Sequence, residues 1–96
     1  MYKVIYGEDA ERHEVEAIEW YQAINPNLAV RFIEELEETI GKYIAKSPTQ
    51  WRTYIGNTRK LSMKEFPYKV IYTVNEEKKV VQILGIWHHK RREWGS

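Results

Sequence analysis

Two histidines, three cations and a tryptophan fall within seven consecutive positions near the end of the chain. They are His88, His89, Lys90, Arg91, Arg92 and Trp94. Imidazole titrates near neutral pH, guanidinium and ammonium groups attract anions, and an indole can stack on a base. Each residue alone fits a solvated or core position, but the cluster exceeds what a solvated tail requires. It therefore predicts a functional contact here.

The two halves of the chain differ in charge although the total is only +1. Residues 1–46 carry ten acids and five bases, whereas residues 47–96 carry four acids and ten bases. Glutamates on the wet faces of helices and lysines on sheet edges explain much of this split. The alternative explanation is that the basic half meets a nucleic-acid backbone or an acidic partner chain.

Length and composition limit the classes of protein to which this chain can belong. The 96 residues suffice for one core, so we expect a single domain over residues 1–96. With no cysteine and three histidines, the chain is expected to hold no disulfide, no metal and no cofactor. The first residues lack a signal-peptide pattern and no apolar stretch could span a bilayer. We therefore expect a cytoplasmic protein that does not contact a membrane.

Helical periodicity predicts two helices after a short first strand at residues 2–6. The first helix is expected to run to Ile24, because Asn25-Pro26-Asn27 breaks it. The second is capped by Asn25 or Asn27 and ends at Ser47-Pro48. The apolar stripe of the second helix consists of Leu28, Ala29, Phe32, Ile33, Leu36, Ile40, Tyr43 and Ile44. The stripe of the first helix consists of Ala10, Ala17, Ile18, Tyr21 and Ile24. His13, among glutamates, is expected to be exposed.

Alternating patterns predict four further strands, at residues 51–55, 58–63, 68–74 and 79–87. The last two are apolar on both faces, so we place them at the centre of the sheet. The fold class is therefore α+β with two layers: an N-terminal strand and an antiparallel helical hairpin packed on a C-terminal antiparallel β-sheet. Trp20 and Trp87 are expected in the core, and Lys69 on the open face of the sheet.

The order of these elements and several short sequence motifs resemble those of the RelE/ParE superfamily of bacterial toxins, and more closely those of its ParE-like, plasmid-stabilisation branch. These motifs are Trp20-Tyr21, residues 28–36 (LAVRFIEEL), Ser47-Pro48, Arg59-Lys60-Leu61, residues 66–72 (FPYKVIY) and residues 86–91 (IWHHKR) with Trp94. The resemblance implies a toxin of a type II toxin–antitoxin system, which a cognate antitoxin holds inactive. ParE-like members poison DNA gyrase and RelE-like members cut messenger RNA in the ribosome, so both targets stay open.

The resemblance also implies which residues would act in each case. A metal-independent ribonuclease would use Lys69, His88, His89 and Arg91 as acid, base and cations. A gyrase inhibitor would contact its target through Arg59, Lys90, Arg91, Arg92 and Trp94. The antitoxin, through an acidic or amphipathic segment, would contact Phe32, Leu36, Tyr54, Arg59 and Lys69.

Two features of the sequence favour gyrase binding over cleavage of messenger RNA. RelE-like nucleases typically have arginine at the position of Lys69, and lysine lacks the planar fork that grips a phosphate. The end of the chain also lacks the tyrosine that those enzymes place there, and Trp94 cannot transfer a proton as tyrosine can. An interaction module without toxic activity is the third alternative.

Overall fold

The computed structural model describes residues 1–95 and consists of two helices packed on a four-stranded mixed sheet. Strand β1 spans Lys3–Tyr6, helix α1 Glu8–Ile24, helix α2 Pro26–Glu38, strand β2 Arg59–Ser62, strand β3 Tyr68–Asn75 and strand β4 Val80–His88. The strand order is β1-β4-β3-β2, in which β1 is parallel to β4 and the other pairs are antiparallel. The predicted α+β class and the central position of β3 and β4 are confirmed, while β1 makes the sheet mixed.

The helical hairpin begins and ends where its local sequence requires. The Asn25 side chain accepts a hydrogen bond from the Asn27 backbone N–H at 2.9 Å, which confirms Asn25 as the cap of α2. Pro26 follows at the first helical position, where its missing N–H costs nothing. The expected stripe of α2 is buried at Ala29, Phe32 and Leu36, and continues through Ile40 and Ile44. These last two lie in a π-helical turn, Thr39–Ile44, which extends α2.

Helix α1 differs from its prediction in which side chains it buries. Its buried residues are Ala10, His13 and Ala17, at positions i, i+3 and i+7. Two of these are small, so the helix backbone can lie close to the sheet. Trp20 and Ile24 are 66% and 60% exposed, so their predicted core positions are wrong. Trp20 lies on the flank of the buried line, and Ile24 is the last residue of the helix.

Residues 51–55 do not form the predicted strand. They follow a 3-10 turn, Pro48–Gln50, and make one isolated bridge, between Thr53 and Arg59. At the start of the segment the Arg59 guanidinium donates to the Trp51 carbonyl at 2.7 Å, so a side chain takes a backbone acceptor that a longer strand would use. The Trp51 indole N–H donates to the Tyr43 carbonyl at 3.1 Å and fixes the segment to the π-helical turn.

The core is centred on Phe32, which is completely buried between the helical hairpin and the sheet. Its ring lies 5.4 Å from the Tyr21 ring and 5.3 Å from the rings of Phe66 and Tyr68. Such edge-on and tilted arrangements are the favourable geometry for aromatic pairs. The cluster therefore joins both helices to β3. None of the helices in residues 1–95 has the length and apolar composition that a bilayer crossing requires.

We predict that Phe32→Ala lowers the free energy of unfolding by about 3–5 kcal/mol, because it leaves a cavity among three aromatic rings. Val30→Ala is the control, since Val30 lies on the same helix and is 54% exposed. Its effect should stay within about 0.5 kcal/mol. Urea unfolding followed by circular dichroism measures both. Equal losses in the two variants would contradict a core centred on Phe32.

Candidate functional site

The central strand pair divides the candidate residues between two faces of the sheet. Tyr68 pairs with His88 and Lys69 pairs with Trp87 in the antiparallel register of β3 and β4. Side chains alternate along a strand, so consecutive pairs point to opposite faces. The His88 ring lies 5.0 Å from the Tyr68 ring on the helix side. Lys69 and Trp87 lie on the face without helices, and the sheet separates Lys69 from His88.

On the face without helices, Lys69 is enclosed by two side chains from distant parts of the chain. Its ammonium lies 3.2 Å from the Tyr54 hydroxyl and 3.8 Å from a Glu93 carboxylate oxygen. The Tyr54 hydroxyl also donates to Glu93, which lowers the pKa of that carboxyl, with a smaller contribution from Lys69. Lys69 is only 8% exposed, so the expectation that it stands open to solvent is wrong for the free chain. The cause is that Tyr54 and Glu93 cover it.

Glu93 belongs to a C-terminal strap, residues 91–95, which crosses this face of the sheet. The Trp87 indole N–H donates to the Arg92 carbonyl at 2.6 Å, and the Trp94 ring stands edge-on to Trp87 at 5.2 Å. Gly85 provides the space: a Cβ there would lie 2.7 Å from the Trp94 ring. Any larger residue at position 85 would therefore displace the Trp94 ring.

At the edge of β4, the His13 side chain accepts a backbone hydrogen bond where no neighbouring strand is present in residues 1–95. Pairing with β1 stops at Ile83, so the next outward N–H groups of β4 have no strand partner. The Ile86 N–H donates to Nδ1 of His13 at 3.2 Å. His13 is 7% exposed, and the prediction that it is exposed is wrong because a buried N–H needs an acceptor. Burial, followed by the charges of Arg91 and Arg12, lowers the His13 pKa and keeps this acceptor neutral.

A cleft of about 430 Å³ opens beside His13, between α1 and the end of the sheet. Trp20 forms its wall on α1, Tyr68 and His88 lie on the strand side, and Lys90 and Arg91 form the rim. The Arg91 guanidinium lies 5.0 Å from the Trp87 ring. Within residues 1–95, no carboxylate lies within salt-bridge distance of Lys90 or Arg91. Their charges can therefore attract an acidic partner.

The predicted target-binding residues are mostly brought together at this end of the sheet. Lys90, Arg91 and Arg92 are exposed, and Trp94 is half-buried in the strap. Arg59 is the exception, because its guanidinium is bonded to the Trp51 carbonyl beyond β2.

The other two predicted sets are assembled only in part: Tyr54 and Lys69 of the antitoxin set lie 3.2 Å apart on the face without helices. Phe32 and Leu36, expected to meet the antitoxin, are 0% and 1% exposed and lie in the core. Of the proposed nuclease residues, His88 and Lys69 lie on opposite faces, and the exposed His89 donates its backbone N–H to the Pro67 carbonyl.

Sequence reasoning missed the roles of four residues: His13, Gly85, Glu93 and Tyr54 as a partner of Lys69. Tyr54 and Glu93 are 39 positions apart, and His13 and Ile86 are 73 apart. No local spacing could reveal these contacts. The one available signal was a glycine at position 85 inside an apolar strand, which marks a close approach of another group.

The family model for the ParE toxin of the type II toxin–antitoxin system parDE matches residues 4–93. The chain belongs to the ParE toxin family. It is thus a type II toxin of the ParE/RelE superfamily, as its sequence pattern predicts. No curated protein sequence matches this ParE family member significantly.

Solved structures of toxin–antitoxin systems share the fold of this ParE family member. A chain of the chromosomal ParDE system from P. aeruginosa is 21% identical with a TM-score of 0.78, over 92% of this chain and 96% of that one. The E. coli RelBE complex gives 18% identity and a TM-score of 0.60, over 95% and 100%. The RelBE2 complex from Mycobacterium tuberculosis gives 19% and 0.57, over 91% and 96%. At these identities the likeness concerns the fold.

We predict that the stability contributed by His13 depends on pH. Its pKa is lowered on folding, so the unfolded chain binds the extra proton and folding is favoured above about pH 6.5, the unfolded value. This contribution is lost as the pH falls below about 6.5 towards the folded pKa. Asp9 and Glu16 raise the pKa of His13 and limit the shift, while Arg12 and Arg91 lower it.

The measurement is urea unfolding of His13→Ala and the parent protein between about pH 5 and pH 8. The variant leaves the Ile86 N–H without an acceptor and should be less stable by about 1–3 kcal/mol at the alkaline end. The difference should shrink as the pH falls. His88 has a lowered pKa as well, so His13→Ala retains some pH dependence. A loss that is the same at every pH would contradict the prediction, and His89→Ala is the exposed control.

Proposed function

We propose that this toxin inhibits growth by binding DNA gyrase in the cytoplasm, and that it does not cut messenger RNA. The observation that carries the proposal is the separation of Lys69 and His88 by the sheet. Cleavage of RNA without a metal needs an acid, a base and cations around one phosphate. The residues that the resemblance suggests for these roles do not surround any common point, which supports binding as the mode of action.

The state of Lys69 supports the same conclusion. A cation that stabilises a phosphate must reach it, but Lys69 is 8% exposed and its charge is paired with Glu93. Tyr54, 3.2 Å from the Lys69 ammonium, is the one group here that favours a ribonuclease, since a phenol can donate a proton. Its hydroxyl, however, is bonded to Glu93. A RelE-like ribonuclease is therefore the second candidate.

The proposed gyrase contact is the basic end formed by Lys90, Arg91 and Arg92, together with the cleft beside Trp20. An exposed tryptophan next to unpaired cations is a composition typical of protein-binding hot spots. The proposed inhibitor of the toxin is a cognate antitoxin with an acidic segment that covers this end. Solved relatives of this fold include toxin–antitoxin complexes, which supports such a partner. An interaction module without toxicity would leave bacterial growth unchanged on induced expression.

We predict that the purified protein inhibits gyrase supercoiling and leaves ribosome-bound message intact when one preparation is used for both assays. Replacing Lys90, Arg91 and Arg92 by alanine should weaken inhibition at least about tenfold, because charges at a protein interface steer and hold the partner. The control replaces the exposed Lys42, Lys46 and Lys78 by alanine, which removes the same charge elsewhere.

Two results would overturn the gyrase proposal. The first is unchanged supercoiling at a large excess of protein. The second is message cleavage that disappears in the His88→Ala, His89→Ala double variant, which would establish the ribonuclease instead. Equal loss of inhibition in the two triple variants would mean that net charge, and not the basic end, carries the contact.

A further inference from the structure

The strap places one of the chain's own carboxylates on a cluster of cations. Glu93 lies 3.8 Å from the Lys69 ammonium and accepts a hydrogen bond from Tyr54. The Lys60 ammonium lies 4.1 Å from the centre of the Tyr54 ring, and that of Lys69 lies 4.9 Å from it. One ammonium group and one hydroxyl thus contact the Glu93 carboxylate directly, and a second ammonium group lies against the same tyrosine ring; charged and hydroxyl donors of this kind bind carboxylates well.

The cationic side of this contact lies on a central strand, whereas the carboxylate side lies on an exposed segment without helix or strand. Lys69 lies on the central strand β3, and its side chain is only 10% exposed. Glu93 lies outside any helix or strand, and its side chain is 61% exposed. An exposed segment held by few contacts opens locally at low cost. Opening of the strap would leave the Lys69 charge buried against Tyr54 without its carboxylate.

We propose that Tyr54, Lys60 and Lys69 form a carboxylate-binding site, which Glu93 occupies in the free chain and an acidic side chain of the antitoxin occupies in the complex. Only the identity of this partner rests on the proposed function. The partner carboxylate replaces Glu93, so Lys69 keeps an ion pair and Tyr54 keeps an acceptor for its hydroxyl. The exchange therefore breaks the contacts of the strap, but it does not leave the Lys69 ammonium as a buried charge without a partner.

A peptide carboxylate fits this site better than a nucleic-acid phosphate. Lys69 is only 8% exposed, so a single extended side chain such as glutamate reaches its ammonium more easily than a bulky sugar-phosphate backbone does. The site contains no arginine fork for bidentate binding of phosphate. Tyr54, by contrast, already donates to a carboxylate in the structure.

Occupation by the partner has a consequence for the basic end. In the free chain the Trp87 indole N–H holds Arg92, and the Trp94 ring packs in the space that Gly85 leaves. Release of Glu93 frees the strap and with it both residues. The proposed target-binding arrangement is thus lost when the acidic partner binds. Inhibition of the toxin then follows from exchange of one carboxylate for another.

The test compares the affinity of the full chain for a short oligo-glutamate with that for an oligo-thymidylate of equal charge, by titration of tryptophan fluorescence. Glu93→Gln removes the internal competitor and should raise the affinity for oligo-glutamate about tenfold, if the strap is closed in about nine of ten molecules. Glu65→Gln is the matched control: it removes the same charge from a side chain that is also 61% exposed, and should have no such effect.

Second variants identify the site. In the Glu93→Gln background, Tyr54→Phe should reverse the gain, because it removes only the donor hydroxyl. Gly85→Ala in the parent chain should also raise the affinity, because the added Cβ meets the Trp94 ring at 2.7 Å and releases the strap.

The inference is overturned if Glu93→Gln and Glu65→Gln bind oligo-glutamate alike, or if Tyr54→Phe leaves the gain intact. An equal gain for oligo-thymidylate would overturn the choice of a carboxylate and indicate a general anion site. No gyrase enters this assay. A protein that leaves supercoiling unchanged but gains affinity through Glu93→Gln would refute the proposed function and retain the site.

Discussion

The pairing of β3 with β4 is the constraint on which the other features of this molecule depend. It lies at the centre of the sheet, and its register assigns each side chain to one of two faces. Val70, Tyr72 and Ile86 turn towards the helices and are buried there. Their neighbours necessarily turn away, which brings Lys69 beside Trp87. A slip of one residue would exchange the two sets, so burial of the apolar set also determines where the charged residues lie.

The face without helices is not left open, and this explains much of the site. Ile71 on this face is completely buried, and its cross-strand partner is Gly85, against which the Trp94 ring packs. The strap therefore covers apolar residues on this face of the sheet, as the helical hairpin covers those on the opposite face. It also places a carboxylate on Lys69, which would otherwise be a largely buried cation without a partner.

The basic residues all carry charge, but they differ in whether a partner can reach that charge. Lys69 is charged but enclosed, and its neighbours form an internal ion pair. Lys90 and Arg91 are exposed beside the cleft that contains Trp20, where an acidic partner can reach them. His13 connects these regions, since it completes the edge of β4, contacts Trp87 at 5.4 Å between ring centres and lines the same cleft. The cleft at one end of the sheet is thus lined by a residue that also satisfies an N–H in the interior.

Local sequence patterns suffice for the two helices, the central strands and the family. Periodicity marked the helices and the central strands, Asn25 marked the start of α2, and the basic cluster at residues 88–92 marked the end of the sheet. Each of these signals lies within one short segment, so it can be recognised without knowledge of the rest of the fold. Tertiary contacts, in contrast, bury His13, leave residues 51–55 with a single bridge and pair Lys69 with Glu93. The burial of His13 and the Lys69–Glu93 pair depend on groups from distant parts of the chain, where satisfying a buried N–H or a buried charge outweighs the local pattern. Residues 51–55 instead follow side-chain hydrogen bonds that join Trp51 to Tyr43 and to Arg59.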